Sequence, residues 1–212
     1  DITNQGIVLQ YDASVNERIG LGVAIRHDDN DRFEDDQSFR LQGSFRLSGG
    51  TRLRAAAGSG IKNPDIFELF GFDPSSFVGN PNVEPEMSRG WEVGFDQRFG
   101  PRFEIGVTYF DSKLEDEIAT VFLPSFVFSV ENLATESTQN GIEIAALAQV
   151  TDALRIDASY SYLDAEEDGR EEIRRPPHTA SFNIACRAPE DRGGVALTVR
   201  YKGDTFDSVS TH

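Results

Sequence analysis

The stretch RIGLGVAIR, residues 18–26, alternates without a break. On an extended backbone Ile19, Leu21, Val23 and Ile25 share one face, and Arg18, Gly20, Gly22, Ala24 and Arg26 share the other. Taking each aliphatic side chain out of water is worth about 1.5–3 kcal/mol. An arginine held against hydrocarbon costs a comparable amount, about 2–4 kcal/mol at a bilayer midplane. One placement satisfies both faces: aliphatics against an apolar medium, arginines towards water.

The same period of two returns along the chain, in FRLQGSFRL (39–47), TRLRAAAGSG (51–60), WEVGFDQRF (91–99), RFEIGVTYF (102–110), GIEIAALAQV (141–150), LRIDASYSYL (154–163), HTASFNIACR (178–187) and GVALTVRYK (194–202). It predicts ten strands, near 4–12, 16–26, 37–48, 51–60, 88–99, 102–112, 138–150, 153–164, 177–187 and 194–203. Most exceed the usual ~5–6 residues of a globular strand and suit a tilted membrane-crossing strand of about 9–11. Helical periodicity is nearly absent, and no apolar run approaches the ~20 residues of a membrane helix. The connections alternate as regularly. ASV, SGG, GP, TD and APEDRGG are short; 27–36, 61–87, 113–137 and 165–176 are long and acidic or Pro-rich. Tight turns on one side and wide loops on the other describe an antiparallel up-and-down transmembrane β-barrel. A passive outer-membrane channel shares that pattern, whereas a soluble β-sandwich would mix loop lengths at both ends. DITNQGIVLQYD at the N-terminus begins inside the alternation, so an internal fragment of a longer protein is expected.

Charge narrows the function classes. With 36 acidic and 20 basic residues the net charge is −16, which disfavours nucleic acid as a partner because phosphate binding needs a basic face. No nucleophile elbow, zinc-ligand spacing or phosphate loop is present, so neither an enzyme nor a cofactor is expected. His27, His178 and His212 are scattered; the nearest approach to a hydrolase pair is His178 with Ser159 or Ser181. Cys186 shares parity with Phe182 and Ile184 and reads as a small apolar side chain.

Four motifs resemble one family. GSGIKNPDIFELFG (58–71) resembles the G-x-x-x-[KR]-x-P-x-x-x-[EQ]-L segment of TonB-dependent outer-membrane receptors. GNPNVEPEMSRGWEVGF (79–95) resembles the following N-P-x-L-x-P-E…E-x-G signature, with Val83 in the leucine position. ENLATESTQNGIEIAALAQV (131–150) and SYSYLDAEED…RRPPH (159–178) are similar to two later segments, in the same order. The resemblance implies a 22-stranded barrel in the Gram-negative outer membrane, a plug domain inside it, and import of a ferric siderophore or cobalamin driven through TonB. About ten strands would then be less than half of the barrel, with the plug and the closing strands outside residues 1–212. YKGDTFDS (201–208) bears a slight similarity to the cobalamin branch.

Two groups of residues are candidates for function. The loop 61–87 carries Phe67, Phe70, Phe72 and Phe77 with Asn80 and Asn82; these would either grip a hydrophobic ligand or pack the loop on itself, with packing favoured for most. Arg40, Arg46, Arg52 and Arg54 share the inward parity of neighbouring strands and need something negative opposite them. Lumenal Glu92, Glu104 and Glu143, plug carboxylates or an anionic ligand could serve. HDDNDRFEDD (27–36) lacks EF-hand spacing and is read as a solvated loop, or one bridged to lipopolysaccharide by divalent ions, rather than a metal site. Trp91, Tyr109, Phe110, Tyr160 and Tyr162 are expected to form an interfacial aromatic belt.

Overall fold

The computed structural model describes residues 2–73 and 75–206. The end of YKGDTFDS, the DSVSTH tail and His212 lie outside the described residues. Ten long strands follow one another: β1 (Asn4–Ser14), β2 (Ile19–Asn30), β3 (Asp36–Arg46), β4 (Thr51–Lys62), β7 (Glu86–Phe99), β8 (Phe103–Glu115), β11 (Ser137–Gln149), β12 (Leu154–Glu167), β14 (His178–Arg187) and β15 (Gly194–Lys202). The connections hold the remaining elements: helix α1 (Ile66–Phe70), β5 (Phe72–Asp73) and β6 (Phe77–Val78), then β9 (Ile118–Phe122) and β10 (Phe128–Asn132), then β13 (Arg170–Glu171). The long strands pair in sequence order, β1-β2-β3-β4-β7-β8-β11-β12-β14-β15. Every neighbouring pair is antiparallel, so the sheet is an up-and-down meander.

Register makes the two faces continuous. Val23 pairs with Leu41, Leu41 with Ala57 and Ala57 with Trp91. Further round, Val93 pairs with Tyr109, Tyr109 with Ile142 and Ile142 with Tyr162. Leu21, Leu41 and Val93 remain 51%, 47% and 46% exposed, so no protein core covers this apolar face. The sheet holds its register without one because a slip of one residue would move the whole apolar set to the polar side.

All the short turns close one edge of the sheet. The turn between β3 and β4 needs positive φ at Gly49 and Gly50 (79° and 85°), and a Cβ on Gly50 would stand 2.6 Å from the Arg98 carbonyl oxygen. Asn16 closes the first turn by accepting from the Arg18 and Ile19 amides at 2.8 and 2.9 Å.

At the opposite edge the long connections fold together. β5, β6, β10 and β9 form a separate four-stranded sheet, in which Phe77 and Phe128 pair in parallel. Leu69, Val83 and Val130 are buried there, with Ile2, Phe33, Phe77 and Ile118 packed around them. The main apolar cluster thus lies in the loops and not in the wall. The predicted open loops are shorter than expected, because β2, β8 and β12 run on to Asn30, Glu115 and Glu167.

Candidate functional site

Two surfaces bear chemistry: the polar face of the sheet and the long-loop edge. On the polar face, two concavities of about 490 and 440 Å³ lie side by side. The first is lined by Arg40, Glu92, Thr108, Phe110, Ser112 and Glu143, the second by Asp12, Arg40, Gln42, Ser44, Arg52 and Arg54. The clustered arginines meet acids from the next strand. Arg52 contacts Asp96 at 2.8 Å, and Arg54 reaches Asp96 at 3.5 Å, Glu92 at 3.6 Å and the Thr108 hydroxyl. Asp96 does most of this, with its side chain only 15% exposed. It pairs in register with Arg52 and shares Glu92's parity, so period two alone could have identified it. Arg46 bonds the Glu17 carbonyl at 3.4 Å, and Arg40 and Glu143 enter no ion pair among the described residues. Glu104 pairs with Arg98 at 2.9 Å, away from the four arginines.

Parity corrects one expectation. Phe110 does not join the belt. It follows Tyr109, so the two rings point to opposite faces, and Phe110 packs inward over Gly141, where a Cβ would stand 2.8 Å from its ring. Trp91 and Tyr109 do meet on the apolar face, ring centres 5.4 Å apart. As the sequence led us to expect, His178 pairs with neither serine: Ser159 and Ser181 bond each other at 2.8 Å, while His178 Nδ1 and the Tyr160 hydroxyl share a hydrogen bond of 2.8 Å. The serines have the inward parity and His178 the outward one.

At the long-loop edge, Asp65 and Glu68 form a capping box that opens α1, each side chain bonding the other's amide at 2.7 Å. The Gly71 amide closes the helix on the Phe67 carbonyl at 2.8 Å. Phe67 stacks on Phe77 with centroids 4.5 Å apart, and Phe77 packs against the loop core. Phe70 is half exposed beneath the Arg32 guanidinium, 4.9 Å from its ring centre, while Arg32 also donates to the Pro81 carbonyl at 2.6 Å. Phe72 is 72% exposed and Asn82 lies at the surface. Asn80 is fully engaged in the loop: its amide nitrogen donates to the Val130 carbonyl at 2.9 Å and its oxygen accepts from Asn82. Phe77 and Asn80 therefore hold the loop, and Phe67, Phe70 and Phe72 remain its exposed aromatics, Phe67 with one ring face on Phe77. A second aromatic group, Phe122, Phe126 and Phe128, crowns the β9–β10 hairpin, and sequence reading had not singled it out.

The acidic stretch 27–36 is bound up in its own turn. Arg26 clamps Asp28 at 2.5 Å, Asn30 accepts from the Arg32 and Phe33 amides, and Asp31 accepts from Thr3. No group of three or more His, Cys, Asp or Glu stands close enough to hold a metal ion among the described residues. In the 63–85 connection, the Ser75 amide and the Ser75 and Ser76 hydroxyls bond the Asp73 carboxylate and lower its pKa below the usual range.

The family profile described as TonB dependent receptor-like, beta-barrel matches residues 1–211. The chain belongs to the TonB-dependent receptors. Among curated relatives, the vitamin B12 transporter BtuB of Photobacterium profundum is 28% identical over 193 residues, spanning 88% of this chain and 30% of that protein. The chain thus covers about 30% of the length of this relative. Among solved structures, the siderophore receptor PirA of Pseudomonas aeruginosa superposes with a TM-score of 0.82 at 20% identity, covering 97% of this chain and 38% of that one. The copper transporter OprC superposes at 0.76 with 19% identity, covering 94% and 34%. These receptors share the fold of the meander, and the period-two reading of a barrel wall stands with them.

Proposed function

We propose that this TonB-dependent receptor segment is part of an outer-membrane importer that captures a scarce, bulky ligand at the long-loop edge and passes it inward with energy delivered through TonB. A corrinoid is the favoured ligand over a ferric siderophore. The observation that carries this choice is the 28% identity to a relative named as a vitamin B12 transporter, since likeness to the siderophore receptor rests on fold alone. The net charge of −16 points the same way, because same-sign fields slow the encounter with an anionic chelate. In this reading the apolar face meets lipid and the polar face surrounds a plug contributed by another part of the longer protein. Arg40 and Arg46, which enter no ion pair among the described residues, are the residues offered to that plug.

The test is ligand binding by the full-length receptor in outer-membrane vesicles, comparing cyanocobalamin with ferric enterobactin. Saturable retention of cyanocobalamin alone supports the corrinoid reading, and retention of ferric enterobactin alone reverses it. Steady ion conductance without either ligand would instead mark an open channel and sink the importer reading.

A further inference from the structure

Loops on a barrel rim ordinarily satisfy their polar groups from within or from water. Here the two longest connections bond each other. The backbone link is short: the Phe128 amide donates to the Ser76 carbonyl at 2.8 Å, and β6 then ends at Val78. Side chains continue the pairing. Asn80 Nδ2 donates to the Val130 carbonyl at 2.9 Å, near where a longer β6 would present a main-chain N–H. Asn132 holds both polar groups of Glu84, accepting from its amide at 2.8 Å and donating to its carbonyl at 2.9 Å, and also donates to the Asp116 carbonyl at 2.7 Å. Glu86, only 8% exposed, accepts from the Ile118 amide and from Lys62 Nζ, both at 3.0 Å. Beneath these bonds Leu69 and Val83 of one connection pack on Val130 of the other.

We propose that Asn80, Glu86 and Asn132 form a latch that makes segment 79–86 and the β9–β10 hairpin one rigid body. The consequence is positional. Phe70 on one connection and Phe122, Phe126 and Phe128 on the other keep fixed mutual positions, and rearrangement at this edge carries both groups together. The Asn-Pro and Glu-Pro units of NPNVEPE are then explained by what they place: Asn80, Glu84 and Glu86 on the neighbouring connection's backbone. The inference concerns mutual rigidity and does not depend on which ligand is carried.

Pulsed electron-spin distance measurement tests it in the full-length receptor, with labels at Ile66→Cys and Ser125→Cys, both exposed and outside the latch. A single narrow distance is expected, and Asn132→Ala should at least double its width. The same variant should speed amide exchange at Leu69 and Val83, on the other connection, by about tenfold, as loss of hydrogen bonds to a buried element would. Labels at Leu41→Cys and Leu197→Cys, both exposed on well-separated strands of the wall, serve as the folding control and should keep their distance. If alanine disturbs the wall, Asn132→Ser is the second variant judged by the same criteria, since its shorter side chain loses the reach to the Glu84 and Asp116 carbonyls without setting a charge beside them. A broad or multiple distance with the latch intact overturns the proposal. So does a variant that loosens only the hairpin carrying it.

Discussion

Arg52 and Arg54 stand on adjacent inward positions of β4, and Asp96 is the side chain that makes this tolerable. Its carboxylate serves both guanidinium groups, whereas Glu104 serves only Arg98 in an exposed pair. Asp96→Ala is therefore expected to cost about 1–2 kcal/mol and Glu104→Ala less than about 0.5 kcal/mol, measured by denaturant unfolding of the full-length receptor. At Asp73 the same reasoning becomes a pH dependence. Hydrogen bonds hold the folded-state pKa below the unfolded value, so the contribution is present above ordinary carboxylate pKa values and is lost as pH falls through the lowered one. Protection of the Ser76 amide, whose N–H bonds the Asp73 carbonyl, measured against its intrinsic exchange rate at each pH, should fall below about pH 4, and Asp73→Asn should remove most of that dependence. Sequence parity placed all four arginines and Glu92 on one face. It did not choose partners, because that depends on which residues stand opposite in the neighbouring strand.

The strand is the element in which the alternation has energetic meaning. In β3, Leu41 points to the apolar face and Gln42 to the polar concavity. Leu41→Lys should cost about 2–4 kcal/mol in a lipid-embedded receptor and Gln42→Lys less than about 1 kcal/mol, although the sites are neighbours. Gly141 in β11 is required for a different reason. A Cβ there would lie 2.2 Å from the Tyr162 carbonyl oxygen and 2.8 Å from the Phe110 ring, so a side chain must push β12 away. Gly141→Ala is expected to cost about 1–3 kcal/mol in the same unfolding assay. Strand positions were legible because a period of two survives over ten or more residues. The strand ends were less so: β2, β8 and β12 continue beyond the apolar pattern, where backbone pairing alone extends them.

For the whole molecule, the decisive property is an apolar face that the chain itself leaves uncovered. Spin labels at Leu21, Leu41 and Ile144 in the full-length receptor should be relaxed by lipid-soluble oxygen and shielded from a water-soluble nickel chelate. Shielding reversed at all three positions would remove the membrane reading. The meander follows from local facts, since alternating short and long connections leave antiparallel neighbours as the direct solution.

What the chain order determined without any structure is the wall: ten strands, their succession and the polarity of each face, all encoded in neighbours two residues apart. What only the folded molecule decided is the company each side chain keeps. Asp96 beside two arginines, Phe110 turned inward over Gly141, and Asn132 pinning Glu84 from 48 residues away are contacts between distant positions. They are set when strands and connections come into register in space, and no local period carries that information.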